Sequence, residues 1–411
     1  MAKALQIIQN YLLPSLTGRG WGRVFPGRGW GRVVLFCLLA LFGCEREPEL
    51  HLYDAAEVDY KLPLIDLELD VVWNYELFYG IDYDWQSEWY YGWDDNDRRI
   101  FGELGYTEPT VFNLRRYYTG SQAYGPHTNR EAEKIYGHNY QGRFNWGFWD
   151  LLVWNDVQTL DGVQSLIFDE ETSLEQVVAY TNETMVPARY HAPRFTRSFW
   201  EPEPLFADYL QGEEISPDLK GFVLDEERGV YVKTMNMTLQ PITYIYLTQV
   251  ILRHNNGRIA AIDGSSNLSG MARSVVVNTG VAGGDAVSVN YKTMLKHDCL
   301  FTKYAPDERA DIVGGRVMTF GLCNTAASRV RAVTEVNDQQ RHYMDVNMQF
   351  NNGLDSTFVF DVTDQVRRHF KGGVITVELD MDTIPIPTRR GGSGFDAVVE
   401  GFEEVTHEFE M

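Results

Sequence analysis

The stretch Ile65-Asp66-Leu67-Glu68-Leu69-Asp70-Val71 alternates apolar and acidic residues one by one. Successive side chains of a β-strand point to opposite faces, so this period sets Ile65, Leu67, Leu69 and Val71 on a core and the acids in water. The same alternation returns at Met344-Asp345-Val346-Asn347-Met348-Gln349-Phe350 and at Ile375-Thr376-Val377-Glu378-Leu379-Asp380-Met381. Shorter β-rich runs lie at 244–252, 274–277, 287–291 and 358–362. Turn signals separate them: Asn256-Gly257, Asp263-Gly264, Gly283-Gly284-Asp285, Asn352-Gly353 and Gly372-Gly373. Short strands punctuated in this way predict an all-β chain built of sandwiches.

Helix is sparse in this reading. Thr172 and Glu175 make a capping-box pattern ahead of Leu174, Val177 and Val178, which predicts a short helix over 173–181. A second is predicted over 364–370, capped by Thr363. Between 186 and 216 stand Pro187, Pro193, Pro202 and Pro204. Proline fixes φ and lacks an N–H, so this stretch is expected to hold no central strand and to connect two domains. The expected division is an N-terminal β-sandwich over 61–188, a linker over 189–221 and a C-terminal β-sandwich over 222–411.

Composition agrees with that size. The chain has 411 residues, 44% of them hydrophobic, enough for a sizeable core and about two domains. Its 23 Tyr, 22 Phe and 10 Trp fit the half-buried surface of a pleated strand. The formal net charge is −22, and the first 43 residues carry five positive charges with no acid, so the remainder is more acidic still. A nucleic-acid partner needs a cationic footprint and is not expected.

The run from Val33 to Phe42 is apolar and follows Arg19, Arg23, Arg28 and Arg32. It is too short to cross a bilayer and suits the core of a secretory signal, so 1–43 is read as a signal peptide and kept out of the fold. Upstream, Gly18-Arg19-Gly20-Trp21-Gly22-Arg23-Val24 recurs as Gly27-Arg28-Gly29-Trp30-Gly31-Arg32-Val33, read as an extended basic leader. The signal closes on Leu41-Phe42-Gly43-Cys44, which resembles the bacterial lipobox, and lipidation is expected at Cys44. One acyl chain at ~0.8 kcal/mol per buried CH₂ holds a protein only marginally, whereas the two or three chains of a bacterial lipoprotein, palmitate among them, anchor it stably. Residues 44–60 then form a tether. The acids in Cys44-Glu45-Arg46-Glu47-Pro48-Glu49 resemble the surface-export signal of Bacteroidetes lipoproteins, which places the chain on the outer membrane facing outward; a plain solvated tether is the other reading.

Cys37 leaves with the signal, which leaves Cys299 and Cys323. In an oxidising compartment they form either a disulfide, worth roughly 3 kcal/mol in loop entropy, or two separately buried thiols.

No nucleophile elbow, zinc-protease motif, C-x-x-C or phosphate loop is present, and no enzyme activity, metal or cofactor is expected. The nine His have no metal-like spacing, and His127 and His138 read as loop residues. Asp94-Asp95-Asn96-Asp97 offers hard oxygens suited to Ca²⁺ but lacks the EF-hand order, so a solvated turn is the better reading. Trp85, Trp89, Tyr90, Tyr91 and Trp93 crowd the segment before it. Exposed, Trp85, Trp89 and Trp93 would make a glycan-binding platform; otherwise alternate members point into the core.

Particular phrases in the C-terminal half carry a resemblance. They are Tyr246-Leu247-Thr248-Gln249-Val250 with Gly257-Arg258-Ile259, then Leu268-Ser269-Gly270-Met271-Ala272, Phe360-Asp361-Val362-Thr363-Asp364-Gln365-Val366, and Gly372-Gly373 into a strand ending near Ile384-Pro385. With the lipobox, these resemble the fimbrillin-like lipoproteins of Bacteroidales, in the branch related to fimbrial anchor and accessory subunits. The resemblance implies two tandem transthyretin-like, Greek-key β-sandwich domains without cofactor or catalytic residues. It also implies a role in adhesion or fimbrial anchoring, with fimbrial subunits as partners that donate or accept a β-strand.

Overall fold

A computed structural model describes residues 62–72, 84–157, 164–171, 175–184, 197–325 and 340–388. The leader, Cys44, the tether, Thr172, Pro187 and Pro193 lie outside these residues. The chain is all-β. One sheet runs β3 (Asn129–Tyr136), β2 (Val111–Gly120), β5 (Gly147–Asn155), β9 (Phe206–Ile215), β11 (Val230–Pro241), β1 (Leu64–Val71), β4 (Asn139–Arg143), with β10 (Val223–Asp225) also on β11. A second runs β19 (Asp355–Asp361), β18 (Tyr343–Phe350), β13 (Ile259–Ala272), β16 (Ala286–Leu300), β17 (Arg309–Thr319), β12 (Tyr244–Arg253), β20 (Gly373–Asp380), with β8 (Ser198–Trp200) beside β16. A small third sheet holds β15 (Val281–Ala282), β14 (Ser274–Val276), β7 (Val178–Thr181) and β6 (Leu166–Asp169). The short helices are α1 (Trp85–Glu88), α2 (Asp95–Phe101) and α3 (Thr363–Arg368).

Connectivity forces both large sheets to curl. In the first, the two ends of the path, β3 and β4, are separated in sequence only by Gly137 and His138, so their adjoining tips are brought together although the two strands do not pair. In the second, β19 and β20 are joined through α3 alone. Curling needs local twist, and the longest strands supply it with bulges: β13 shifts register between Ile262 and Ser266 and again at Gly270, and β16 between Lys296 and Cys299. The expected turn at Asp263-Gly264 is the first of these bulges; Gly264, at φ +76°, bends the strand without ending it.

The cores follow from alternation. On β12, Tyr246, Val250 and Leu252 face the interior of the second sheet. Ile245 and Leu247, on the other face, join a cluster with Leu67, Leu114, Leu151 and Met237 of the first sheet. Met318 and Val374 enter the same cluster, so the two curled sheets share apolar core. Each such large side chain, fully buried, contributes about 1.5–3 kcal/mol.

Three expectations are corrected. Residues 178–181 are strand β7, paired to β14 and β6, where a helix over 173–181 was expected; pairing across the small sheet overrides the local pattern. Residues 206–215, inside the expected linker, form β9, a central strand between β5 and β11. Pro202 and Pro204 both precede it, where a missing N–H costs no ladder bond. The predicted helix over 364–370 is present as α3, but Thr363 is its first residue and not its cap: Thr363 Oγ1 accepts from the His342 N–H at 2.9 Å.

Candidate functional site

A sheet binds through its edges, because an edge strand presents unpaired N–H and C=O groups. The edges here are unequal. β3 carries Arg130, Glu131, Glu133 and Lys134, with Arg116 reaching both glutamates at 2.5 Å and Lys134 meeting Asp156 at 2.8 Å. Charge of this density protects an edge. On β20 the Gln365 side chain of α3 imitates a neighbouring strand: its Oε1 accepts from the Thr376 N–H at 2.9 Å and its Nε2 donates to Thr376 O at 3.0 Å.

β19 has neither device. Its seven residues read Asp-Ser-Thr-Phe-Val-Phe-Asp, with no charge between Asp355 and Asp361, and among the described residues no strand pairs on its outer side. The pairing parity is fixed at both ends: Phe350 N–H donates to Leu354 O at 2.7 Å, and Val362 N–H to His342 O at 2.9 Å. Hydrogen-bonded and non-bonded pairs alternate along an antiparallel ladder, so Ser356, Phe358 and Phe360 bond to β18. Asp355, Thr357, Val359 and Asp361 therefore turn their backbone groups outward. Phe358 and Phe360, stacked at 6.3 Å, anchor the strand in the core, while Val359 stands 40% exposed. The edge is thus held rigidly and left apolar at its centre.

The aromatic segment is held against the second sheet. Gln249 of β12, fully buried, accepts from the N–H groups of Tyr90 and Tyr91 on one oxygen at 3.0 and 3.2 Å. Its Nε2 donates to Glu88 O at 2.6 Å and Thr376 Oγ1 at 2.8 Å. The segment is clipped across the second sheet through this one amide. Tyr91 packs onto Gly314, with Ile251, Phe301 and Ile312 in its cluster. Trp85 and Trp89 pack against the shared core and Trp93 against the Tyr91 cluster, all three half-buried. Successive rings are tilted, Trp89 to Tyr91 by 53° and Tyr91 to Trp93 by 58°, so they do not lie in one plane. Beside them is a shallow depression of about 460 Å³, lined by Tyr90, Asp94, Asn96 and His297 among others.

The acidic run 94–97 is corrected from a solvated turn to the start of α2. Asp94 and Asp97 form a reciprocal capping box, a pattern legible as Asp-x-x-Asp. Asp97 is fully buried and ion-paired to Lys296, whose ammonium lies 4.2 Å from the Tyr91 ring centre; Tyr91 Oη donates to Asp97 Oδ1 at 3.1 Å. Burial, then the Asp97 charge, pushes the Tyr91 phenol well above its ordinary range. The group is structural cement for the clip.

Cys299 and Cys323 belong to different clusters, Cys299 beside Phe301 and Cys323 with Phe320 and Ala272, and are thiols that pack separately, not a bridge. His127 stands in the loop before β3 as expected, with its ring turned inward: it bonds buried Asp150 at 2.7 Å and stacks on Tyr117 at 4.4 Å. His138 bonds Leu69 O at 3.0 Å. His254, Asp380 and Asp382 converge at the ends of β12 and β20, which no sequence spacing announces. Among the described residues no helix is long and apolar enough to cross a membrane.

No protein-family model matches the chain, and no curated protein matches it in sequence. Solved structures do. A candidate adhesin from Bacteroides ovatus aligns over 82% of this chain and 97% of its own, with 12% identity and a TM-score of 0.44. The fimbrial anchor protein of Porphyromonas gingivalis aligns over 77% and 90%, with 10% identity and a TM-score of 0.35. A candidate polysaccharide-binding protein from Bacteroides thetaiotaomicron aligns over 77% and 91%, with 8% identity and a TM-score of 0.36. The chain is similar to structures of Bacteroidales adhesins and fimbrial proteins, and likeness at this level leaves its function to its own residues.

Proposed function

We propose that the chain is a lipid-anchored protein of the bacterial outer surface that acts in adhesion or fimbrial assembly by accepting an extended segment of a partner protein on β19. The observation that carries this reading is the open, uncharged edge with its outward backbone groups at Thr357 and Val359. Backbone pairing supplies affinity, and exposed Asp355 favours a segment with a basic residue beside an apolar β-branched centre, whereas Asp361 at the other end already pairs with Arg341 at 2.6 Å. The lipobox at Cys44 and the phrases resembling fimbrillin-like lipoproteins support the same reading.

The edge is tested with a synthetic peptide of alternating Thr and Val flanked by Lys, its binding followed by fluorescence anisotropy. Val359→Pro deletes one outward N–H and touches no bond to β18, so binding is expected to weaken at least about tenfold while the protein stays folded. Unchanged affinity in that variant removes β19 from the mechanism. The anchor is tested separately: Cys44→Ser is expected to move the protein from the membrane to the soluble fraction, and continued membrane association to the same degree refutes lipidation there.

A further inference from the structure

We propose that His254, Asp380 and Asp382 form a binding site for a divalent transition-metal ion, with Zn²⁺ the ion best suited to the donor set. β12 and β20 are parallel neighbours with Arg253 opposite Asp380, so the two strands end side by side. His254 is the next residue beyond β12, set at φ +54°. After β20 the chain turns at once, closed by Thr383 N–H to Asp380 O at 3.0 Å, and Asp382 comes back over the strand end. His254 Nδ1 then lies 2.9 Å from Asp380 Oδ1 and 3.9 Å from Asp382 Oδ2, and all three ligand atoms fall within 4.8 Å of one another.

A tetrahedral Zn²⁺ with bonds of ~2.0–2.2 Å holds its ligand atoms roughly 3.4 Å apart, so the two His254 spacings each change by about half an ångström and the two carboxylates close by at most about 1.4 Å. Of the two nearby arginines, one is engaged elsewhere and the other takes only one oxygen of Asp382. Arg253 meets Glu308 at 3.2 Å and lies 4.4 Å from the Tyr304 ring centre, and Arg258 stands 3.9 Å from the other oxygen of Asp382, leaving Oδ2 to the metal. Imidazole beside two carboxylates favours Zn²⁺ and its neighbours over Mg²⁺, which prefers an all-oxygen octahedron. The three side chains are 47%, 40% and 64% exposed, so the ion enters from solution and water fills its fourth position. Bound there, it would tie the turn after β20 to the end of β12.

The test is calorimetric titration of the intact, tag-free chain with ZnCl₂ and with MgCl₂, alongside thermal unfolding. One Zn²⁺ site and a raised unfolding midpoint are expected, with no response to Mg²⁺. His254→Gln and Asp382→Asn, whose metal-free midpoints should match the parent, are each expected to lower Zn²⁺ affinity at least about tenfold and to abolish the midpoint shift. No uptake of Zn²⁺, or equal uptake by both variants through other histidines, overturns the proposal.

Discussion

Asp345→Asn is expected to stabilise the protein at pH 8 by up to about 4 kcal/mol and to have little effect near pH 4. Asp345 lies on the second face of β18, 2% exposed, where Asn267 donates to its Oδ1 through the backbone N–H at 3.0 Å and the side-chain amide at 2.9 Å. Burial outweighs those two bonds and pushes its carboxyl up to about 7. The folded value therefore exceeds the unfolded one, ~3.9. Below about pH 4 both states are protonated. As pH rises from there, the unfolded chain ionises first, and stability falls until about pH 7, then levels off. At roughly 1.4 kcal/mol per pH unit this gives the stated figure, an upper bound because the site can relax. Asn keeps the accepting oxygen and cannot ionise.

Urea unfolding of parent and variant at pH 5 and pH 8 measures the effect. The difference between the two proteins is the relevant quantity, since Glu201 and Glu203 are also raised by burial whereas Asp311 and Asp361 are lowered by their hydrogen-bonding partners against burial. A variant less stable than the parent at pH 8 contradicts this account of Asp345.

Gly314→Ala is expected to destabilise the protein by about 3–5 kcal/mol, a cost in the range of losing one buried aromatic side chain. A Cβ at position 314 would stand 2.3 Å from Tyr91 Cδ2, too close for either group to remain in place. The ring cannot shift alone, because its hydroxyl is bonded to Asp97, its face to Lys296 and its backbone to Gln249. Displacing it strips Asp97 and Lys296 of a shared neighbour and unclips the aromatic segment from β12. Tryptophan emission should shift to the red as Trp89 and Trp93 gain water, in step with a lower unfolding midpoint. A variant with the parent's emission and midpoint excludes the Tyr91–Gly314 contact as the clip's foundation.

The strand period was legible wherever one face of a strand is wet. Leu67 and Leu69 against Glu68 and Asp70 on β1 stand as the alternation demands, and the turns at Asn256-Gly257 and Asn352-Gly353 fall between the strands they were expected to separate. The scarcity of helix was legible for the same reason, since a period of 3.6 is nearly absent from the chain. These features depend on neighbours within a few residues.

What the tertiary structure alone decided depends on partners far along the chain. Alternation assigned Asp345 and Asn347 to a polar face but could not say that this face would be covered too, nor that Asp97 and Lys296, 199 positions apart, would share one buried pair. Proline content argues against a central strand within 186–216, yet the two prolines nearest β9 lie just before it, and β5 and β11 supply its ladder. The openness of β19 was equally invisible: its residues read like any other strand, and only the order of the sheet shows that β20 is closed by Gln365 while β19 has no neighbour among the described residues. A sequence fixes side-chain alternation through bond geometry, whereas pairing order, the burial of a second face and the fate of an edge depend on which distant segments win the competition to cover them.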